Sequence, residues 1–194
     1  MKISTDAHLE QPWIAHQLLH DFRIEDVWQL PIHVQKENTT KEVLDTFVLA
    51  IGQIGKRGVA GLLFKLRNWM GRVFHWEDSP ESKAPLKAGL LRTRFAKLEG
   101  LDPDDLPKGG FENFHLVYDL ANETLLEIEN KTVQAALHFG KVETINGSTV
   151  HMTICVKPNG TFGQLYMLAI KPFRHWIVYP TLLKALGRAW KSTK

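Results

Sequence analysis

Two acidic residues near the start of the chain and a basic pair near its end are the first candidates for chemistry. Glu25 and Asp26 lie in a segment predicted to be a strand, and Arg174 and His175 stand between aromatic residues in a predicted helix. A carboxylate that projects into a cavity gains a raised pKa and can act as a general base. A guanidinium offers an anion a planar fork of donors.

Structural roles compete with these functional ones. Adjacent residues of a regular strand point to opposite faces, so Glu25 and Asp26 are not expected to form a carboxylate pair by themselves. Either could be a solvated acid on the outside of a sheet. Arg174 and His175 could equally join the helix to an acid of the sheet, and the sequence leaves both interpretations open.

A second group of polar side chains alternates along predicted strands. His151, Thr153 and Cys155 share one face of a strand. Glu127 and Glu129 share a face of another strand. If this face lines a cavity, it supplies the convergent polar groups of a small-molecule pocket; if it faces solvent, as the sequence favours, it is the polar side of a half-buried sheet. Cys155 has no CxxC partner, so no catalytic thiol is expected.

Two histidines four residues apart resemble a metal pair. On a helix His16 and His20 would lie on one face, and Asp21 follows them. However, Gln17 stands where the HExxH motif has its glutamate, and no third ligand is evident. We therefore expect ordinary surface histidines, no metal site and no cofactor.

The composition is that of a globular domain in a reducing compartment. The 194 residues are 44% hydrophobic and 23% charged, Cys155 is the single cysteine, and the N-terminus lacks the apolar run of a secretory signal. We expect one cytoplasmic domain over residues 1–194.

No acidic residue follows Glu143, and the segment 144–194 has a charge of +7. The basic amphipathic stretches 56–76 and 171–194 fit a membrane surface, although the pattern favours core-packed helices with a basic outer face.

Hydrophobic periodicity predicts a strand over residues 24–34, followed by two helices over 38–54 and 59–73. A connector over 77–110, a meander over 111–157 and a long C-terminal helix over 162–190 follow. The meander has about four antiparallel strands, with a hairpin at Asn146-Gly147. Pro172 and Pro180 must kink or segment the long helix. Trp176, Tyr179 and Leu183 fall on its apolar stripe, which we expect to face inwards. The pattern is that of an α+β fold.

Three segments resemble a known family: the run from Tyr166 to Pro180, the run from Asp21 to Trp28, and the run from Glu127 to Val133. Together they resemble an uncharacterised bacterial family, domain of unknown function 2867, of the START/SRPBCC (birch-allergen-like) helix-grip superfamily. The resemblance implies a curved antiparallel sheet around a long C-terminal helix, with a cavity between them. The full fold has seven strands where this chain shows five to six, so either a strand lies near residues 90–98 or the sheet is reduced.

The function expected from this fold is to bind a small apolar ligand, lipid or polyketide-like, between the sheet and the C-terminal helix. The alternatives are an enzyme that acts on such a ligand by general acid/base chemistry, which residue evidence favours less, and a peripheral membrane protein. No motif indicates nucleic-acid binding, and the oligomeric state stays open. The predicted ligand-binding residues are Glu25, Trp28, His151, Arg174, Trp176, Tyr179 and Leu183.

Overall fold

The structure is a computed structural model, and it describes residues 1–54, 89–111, 113–129, 133–145 and 147–192. The strands are β1 (Arg23–Gln29), β2 (Gly110–Phe111), β3 (Phe114–Asp119), β4 (Glu123–Glu129), β5 (Val133–Thr144) and β6 (Gly147–Pro158). The helices are α1 (Asp6–Leu9), α2 (Ala15–Leu18), α3 (Thr40–Ile54), α4 (Leu90–Glu99), α5 (Gly160–Phe173) and α6 (Tyr179–Ser192). A 3-10 turn lies at Pro103–Asp105, and a π-helical segment, Arg174–Val178, joins α5 to α6.

The strands form one antiparallel sheet in the order β1-β6-β5-β4-β3-β2 within the described residues. Strands β2 to β6 pair in chain order, and β1 adds to the outer edge of β6. The predicted hairpin joins β5 and β6, which pair along their whole length. Gly147 has a φ of 119° at this turn, a conformation that residues with a side chain rarely adopt.

Both faces of the sheet are covered. α3 and α6 pack on one face, which we call the helix face, and bury Phe139 and Leu186 there. Residues 8–22 and α4 pack on the opposite face, which we call the N-terminal face, and bury Trp13 and Leu125. The sheet therefore lies inside the molecule, and polar side chains on either face are enclosed.

Two glutamates of β4 hold the helices of the N-terminal face. Glu127 accepts hydrogen bonds from the backbone N–H groups of Leu91 (2.8 Å) and Arg92 (3.2 Å) at the start of α4. Glu123 accepts one from the N–H of Ile14 (2.9 Å), just before α2. The first N–H groups of a helix have no partner within the helix, so these carboxylates satisfy donors that would otherwise be buried unpaired.

The predicted architecture is confirmed: the chain is α+β, with a curved six-stranded antiparallel sheet and a C-terminal helix, and is helix-grip-like. The opening strand ends at Gln29 instead of residue 34 because Pro31 cannot donate to a ladder. Residues 90–99 form a helix, so no further strand lies there and the reduced sheet is the correct alternative. The predicted helix over 59–73 and the connector residues 77–88 lie outside the described residues.

Two glycines offer a matched test of this packing. A Cβ on Gly140 would lie 2.3 Å from the ring of Trp13, whereas a Cβ on Gly52 would meet nothing within 4 Å. We expect Gly140→Ala to lower the free energy of unfolding by about 1–3 kcal/mol, because Trp13 must move. Gly52→Ala should raise it by about 0.5–1 kcal/mol, since alanine favours the helix. Urea denaturation measures the free energy of unfolding of both variants. If Gly140→Ala leaves it unchanged, the packing of Trp13 against β5 is contradicted.

Candidate functional site

A β-bulge at Glu25 redirects the two acidic side chains. Ile24 and Asp26 pair with consecutive residues of β6, so β1 has one residue, Glu25, in excess. Glu25 and Asp26 consequently both reach the helix face, where each is an ion-pair partner of Arg174. The expectation that these acids point to opposite faces is wrong here, because it holds only for a regular strand.

A π-helical segment faces this bulge from the C-terminal helices. The N–H of Tyr179 donates to the carbonyl of Arg174, five residues earlier. Pro180 has no N–H to offer the carbonyl of Trp176, which removes the α-helical bond expected there. Because the wider turn takes up an extra residue, Arg174 and His175 face the sheet while Trp176 is 80% exposed.

The π segment also changes the phase of the apolar stripe. Tyr179 and Leu183 are buried, as predicted. Trp176 is not on the inner side, because a continuous stripe requires a uniform 3.6 residues per turn. The predicted orientation is therefore correct for Tyr179 and Leu183 and wrong for Trp176, and the roles of all three in binding a ligand remain predictions.

The facing segments form a charged cluster, which we call the bulge cluster; its members are Lys2, Arg23, Glu25, Asp26, Lys171, Arg174, His175 and Tyr179. Arg174 Nη2 donates to Glu25 Oε1 at 2.9 Å and lies 4.0 Å from Asp26 Oδ2. Arg23 Nη2 donates to Glu25 Oε2 at 2.8 Å. The side chains of Glu25 and Asp26 are 6% and 0% exposed, so these pairs hold two carboxylates away from water.

The N-terminal residues complete the bulge cluster. His175 Nδ1 donates to the carbonyl of Lys171 at 3.0 Å, which leaves Nε2 to accept from Lys2 Nζ at 2.8 Å. Asp26 Oδ1 is 2.9 Å from Lys2 Nζ and 2.8 Å from His175 Nε2. Only the contact with Lys2 is an ion pair, because an Nε2 that accepts a hydrogen bond carries no proton. Neither contact has hydrogen-bond geometry. Sequence reasoning missed Lys2, because nothing local in the sequence connects it to the later strand and helix.

Aromatic residues line the buried side of the bulge cluster. Tyr179 donates its hydroxyl proton to Asp26 Oδ2 at 3.2 Å, and burial together with the Asp26 carboxylate raises the pKa of Tyr179, against the opposing effect of Arg174. The ring of Trp28 lies 4.8 Å from that of Tyr179, centroid to centroid. Trp28 Nε1 and Arg174 Nε are both buried and have no hydrogen-bond partner among the described residues. The cluster thus keeps two unused donors.

A groove of about 390 Å³ opens between β1 and α5, beside the bulge cluster. It is lined by Arg23, Ile24, Glu25, Gln164, Leu168 and Lys171. Its volume is within the range of small-molecule sites. Of the predicted ligand-binding residues, Glu25 lines this groove. Arg174 and Tyr179 lie behind Glu25 in the bulge cluster, and Trp28 packs against Tyr179.

A larger depression of about 850 Å³ lies between the end of α3 and α6. Gln53 and Ile54 form part of its wall, together with residues 180–188 of the last helix. None of the charged residues of the bulge cluster contributes to it.

His151, the remaining predicted residue, lies on the N-terminal face, away from the groove. That face is covered, so the expectation that it faces solvent is wrong: His151, Thr153 and Cys155 are 6%, 0% and 1% exposed. Burial raises the pKa of the Cys155 thiol to about 12, which keeps it protonated and unreactive.

Histidines gather beneath the N-terminal segment in what we call the histidine cluster, His8, His16, His138 and His151. The ring of His8 lies 4.9 Å from His16 and 5.4 Å from His138, centroid to centroid, and its Nδ1 is 2.9 Å from Thr153 Oγ1. Burial lowers the pKa of His8 to about 3, and the neighbouring histidines contribute. Burial also lowers the pKa of His138 and of His151.

Glu123 links the histidine cluster to the helices of that face. It accepts from Tyr118 at 2.8 Å and is 3.2 Å from His138 Nε2. Burial by itself would raise the pKa of Glu123, but the bonds from His138, Ile14 and Tyr118 outweigh it and lower the pKa. Sequence reasoning missed Glu123, His8 and His138, since they lie far apart along the chain.

The spacing of His16 and His20, which resembles a metal pair, does not place them on one helix. α2 ends at Leu18, and His16 and His20 each contact a backbone carbonyl, of Gln11 (2.8 Å) and Gln17 (3.0 Å). Asp21 is instead held by Arg94 (2.6 Å) and Lys157 (2.9 Å), which lowers the pKa of its carboxyl. Within the described ranges, no three such side chains are placed to hold a metal ion.

Comparison with known proteins gives one match. The sequence profile of a family described as "Protein of unknown function (DUF2867)" matches residues 18–181. The chain belongs to this family. No curated protein and no solved structure matches the chain significantly. The family match includes the β-bulge and the π segment, while placement in the START superfamily remains a prediction.

The histidine cluster predicts how stability depends on pH. His8 binds a proton near pH 6.5 when unfolded but only near pH 3 when folded, so the unfolded state binds more protons between these values. The free energy of unfolding should therefore fall as the pH decreases below about 6.5. The lowered pKa values of His138 and His151 act in the same direction over this range, and that of Glu123 does so below about pH 4.5. The raised pKa of Glu127 opposes them.

Urea denaturation at neutral pH and at about pH 5 measures this loss. His8→Asn should reduce the pH dependence, whereas the exposed control His20→Asn should leave it unchanged. Equal pH dependence in wild type and His8→Asn would contradict the burial of His8 as a neutral ring.

The bulge cluster predicts that replacing the Arg174 side chain strongly lowers the free energy of unfolding. Arg174→Met should lower the free energy of unfolding by about 3 kcal/mol, because the buried carboxylates of Glu25 and Asp26 lose their guanidinium. Arg188→Met, an exposed position on α6, should change it by less than about 0.5 kcal/mol. Equal losses in the two variants, by urea denaturation, would show that Arg174 does not hold these carboxylates.

Proposed function

We propose that this protein binds a small apolar molecule with an anionic head group, in the groove between β1 and α5. The observation that carries the proposal is the meeting of two backbone irregularities, the bulge at Glu25 and the π segment Arg174–Val178, in one charged cluster beside this groove. Both irregularities disturb regular hydrogen bonding, and both occur preferentially at functional sites.

Charge favours an anionic head group. Around the groove and cluster, four cationic side chains face two carboxylates; the cations are Lys2, Arg23, Lys171 and Arg174. Arg174 is largely buried against Glu25, whereas the side chains of Arg23 and Lys171 are 60% and 51% exposed. These two can therefore reach a carboxylate or phosphate in the groove while Arg174 holds the cluster together.

The apolar part of the ligand has its own contacts. Ile24 lies on one wall of the groove and Leu168 on the other. Leu168 is 67% exposed, so a ligand that covered it would remove apolar surface from water.

The groove stands in place of the cavity expected between the meander and the C-terminal helix. Phe139, Met152 and Leu186 occupy that interior and are at most 1% exposed. The proposed site therefore lies at the edge of the sheet, where β1 meets α5. Of the residues predicted from sequence, it keeps Glu25 at the groove and Trp28, Arg174 and Tyr179 behind it.

The geometry supports binding better than acid/base catalysis. Glu25 is the candidate base that lines the groove, and both of its carboxylate oxygens accept hydrogen bonds from guanidinium groups, of Arg23 and Arg174. His151 is on the opposite face of the sheet. A general base must come within hydrogen-bond reach of the substrate proton. The Glu25 side chain is paired on both oxygens and only 6% exposed, so little of its carboxylate can meet a substrate.

Laurate and the uncharged alcohol of the same chain length test the proposal. We expect laurate to bind more tightly by titration calorimetry, since only laurate can pair with Arg23 and Lys171. Lys171→Gln should weaken laurate binding about tenfold, because a charge-assisted hydrogen bond is lost. Lys184→Gln, on the exposed side of α6, is the matched control and should bind like wild type. Laurate binding that is absent, or equally affected by both variants, would overturn the proposal.

A further inference from the structure

We infer that the outer side of α5 and the π segment docks on an anionic lipid bilayer. Among the side chains that the structure describes there, three large apolar ones are exposed: Leu168 (67%), Phe173 (45%) and Trp176 (80%). We call them the apolar ridge. Single exposed apolar residues are ordinary on a soluble protein, but Phe173 and Trp176 are three residues apart and are neighbours on the helix surface. With Leu168, about one and a half turns earlier, they add up to apolar surface of the kind used for contact.

The π segment accounts for the exposure of Trp176, the most exposed member of the ridge. A continuous α-helix would place Trp176 on the same side as Tyr179, inside the protein. The extra residue of the π turn brings Arg174 to Glu25 and leaves Trp176 in solvent. Exposure of this indole is therefore a consequence of forming the bulge cluster.

Charge selects an anionic bilayer as the occupant. Lys171 lies within the ridge sequence and is exposed, and Arg23 lies across the groove. Lys184 and Lys191 are exposed further along, and no acidic residue follows Glu143 in the chain. Cations around an exposed tryptophan and phenylalanine match the headgroup region, where indole rings settle at the interface and lysines meet anionic lipids.

A second copy of the chain fits the ridge less well. A two-fold contact places the same patch on both subunits. It would bring the Lys171 side chains of the two copies together without an acid from the ridge to pair them. No helix of the described ranges is long and apolar enough to cross a bilayer, so the contact is one of surface attachment.

Docking on a bilayer deepens the proposed function, because it brings the groove to a source of ligand. The exchange of ligand between bilayer and groove rests on that function, whereas the docking itself does not. Leu168 and Lys171 belong both to the ridge region and to the groove wall. A docked protein would therefore have its groove open at the bilayer surface. A lipid-derived acid could then pass between bilayer and groove without crossing water.

Co-sedimentation with vesicles tests the docking. We expect binding to vesicles of equal parts phosphatidylglycerol and phosphatidylcholine at low ionic strength, and loss of binding in high salt or with phosphatidylcholine alone. The double variant Phe173→Ser, Trp176→Ser should lower partitioning about tenfold or more, because its apolar anchors are gone. The matched control Leu9→Ser, Leu101→Ser removes two leucines exposed elsewhere and should partition like wild type.

Titration with laurate in vesicle-free buffer separates this inference from the proposed function. Phe173 and Trp176 do not line the groove, so the double variant should bind laurate normally, which also shows that it is folded. Wild type that binds laurate but no anionic vesicle would overturn the docking alone. Vesicle binding without laurate binding would overturn the groove and, with it, the exchange of ligand.

A dimer would also overturn the inference. If sedimentation velocity shows a wild-type dimer that Phe173→Ser, Trp176→Ser converts to a monomer, the ridge is an interface between copies. A monomer in both cases, with vesicle binding lost in the variant, supports the bilayer.

Discussion

The ion pairs of Arg174 with Glu25 and Asp26 are the interaction on which the arrangement around β1 depends. Each backbone irregularity is unfavourable by itself, because the bulge disrupts the strand ladder and the π turn departs from α-helical bonding. Together they bring one guanidinium to two carboxylates that are almost completely removed from water. Carboxylates buried without a cation would be strongly destabilising, so the bulge and the π segment stabilise each other.

The same constraint determines the character of the nearby surface. By turning Arg174 and His175 towards the sheet, the π segment turns Trp176 outwards. Arg174 and the exposed Trp176 are thus on opposite sides of one helical turn, and the groove between β1 and α5 lies beside the bulge cluster. A protein that only needed stability would be served by a regular strand and a regular helix with an apolar seam. The retained irregularities are what motivates a binding role for this region.

The N-terminal segment connects this region to the opposite face of the sheet. Lys2 joins the bulge cluster at the edge of β1, and His8, six residues later, lies beneath the cover of the N-terminal face against Thr153. Glu123 ties the histidine cluster to the segment that covers it, because it contacts His138 and accepts from the N–H groups of Ile14 and Ala15. Both faces therefore contain buried polar groups with partners far away in the chain.

The sequence by itself determined the α+β order, the meander, its hairpin, the helix over 40–54 and the interruption of the last helix, because periodicity and proline act locally. It also identified Glu25 and Arg174 as candidates. That they meet, 149 residues apart, was decided by tertiary structure. The bulge has no local signal, since its free energy is recovered only in ion pairs with a distant helix. For the same reason the face on which His151 lies, and the direction of Trp176, followed from packing between distant segments and not from periodicity.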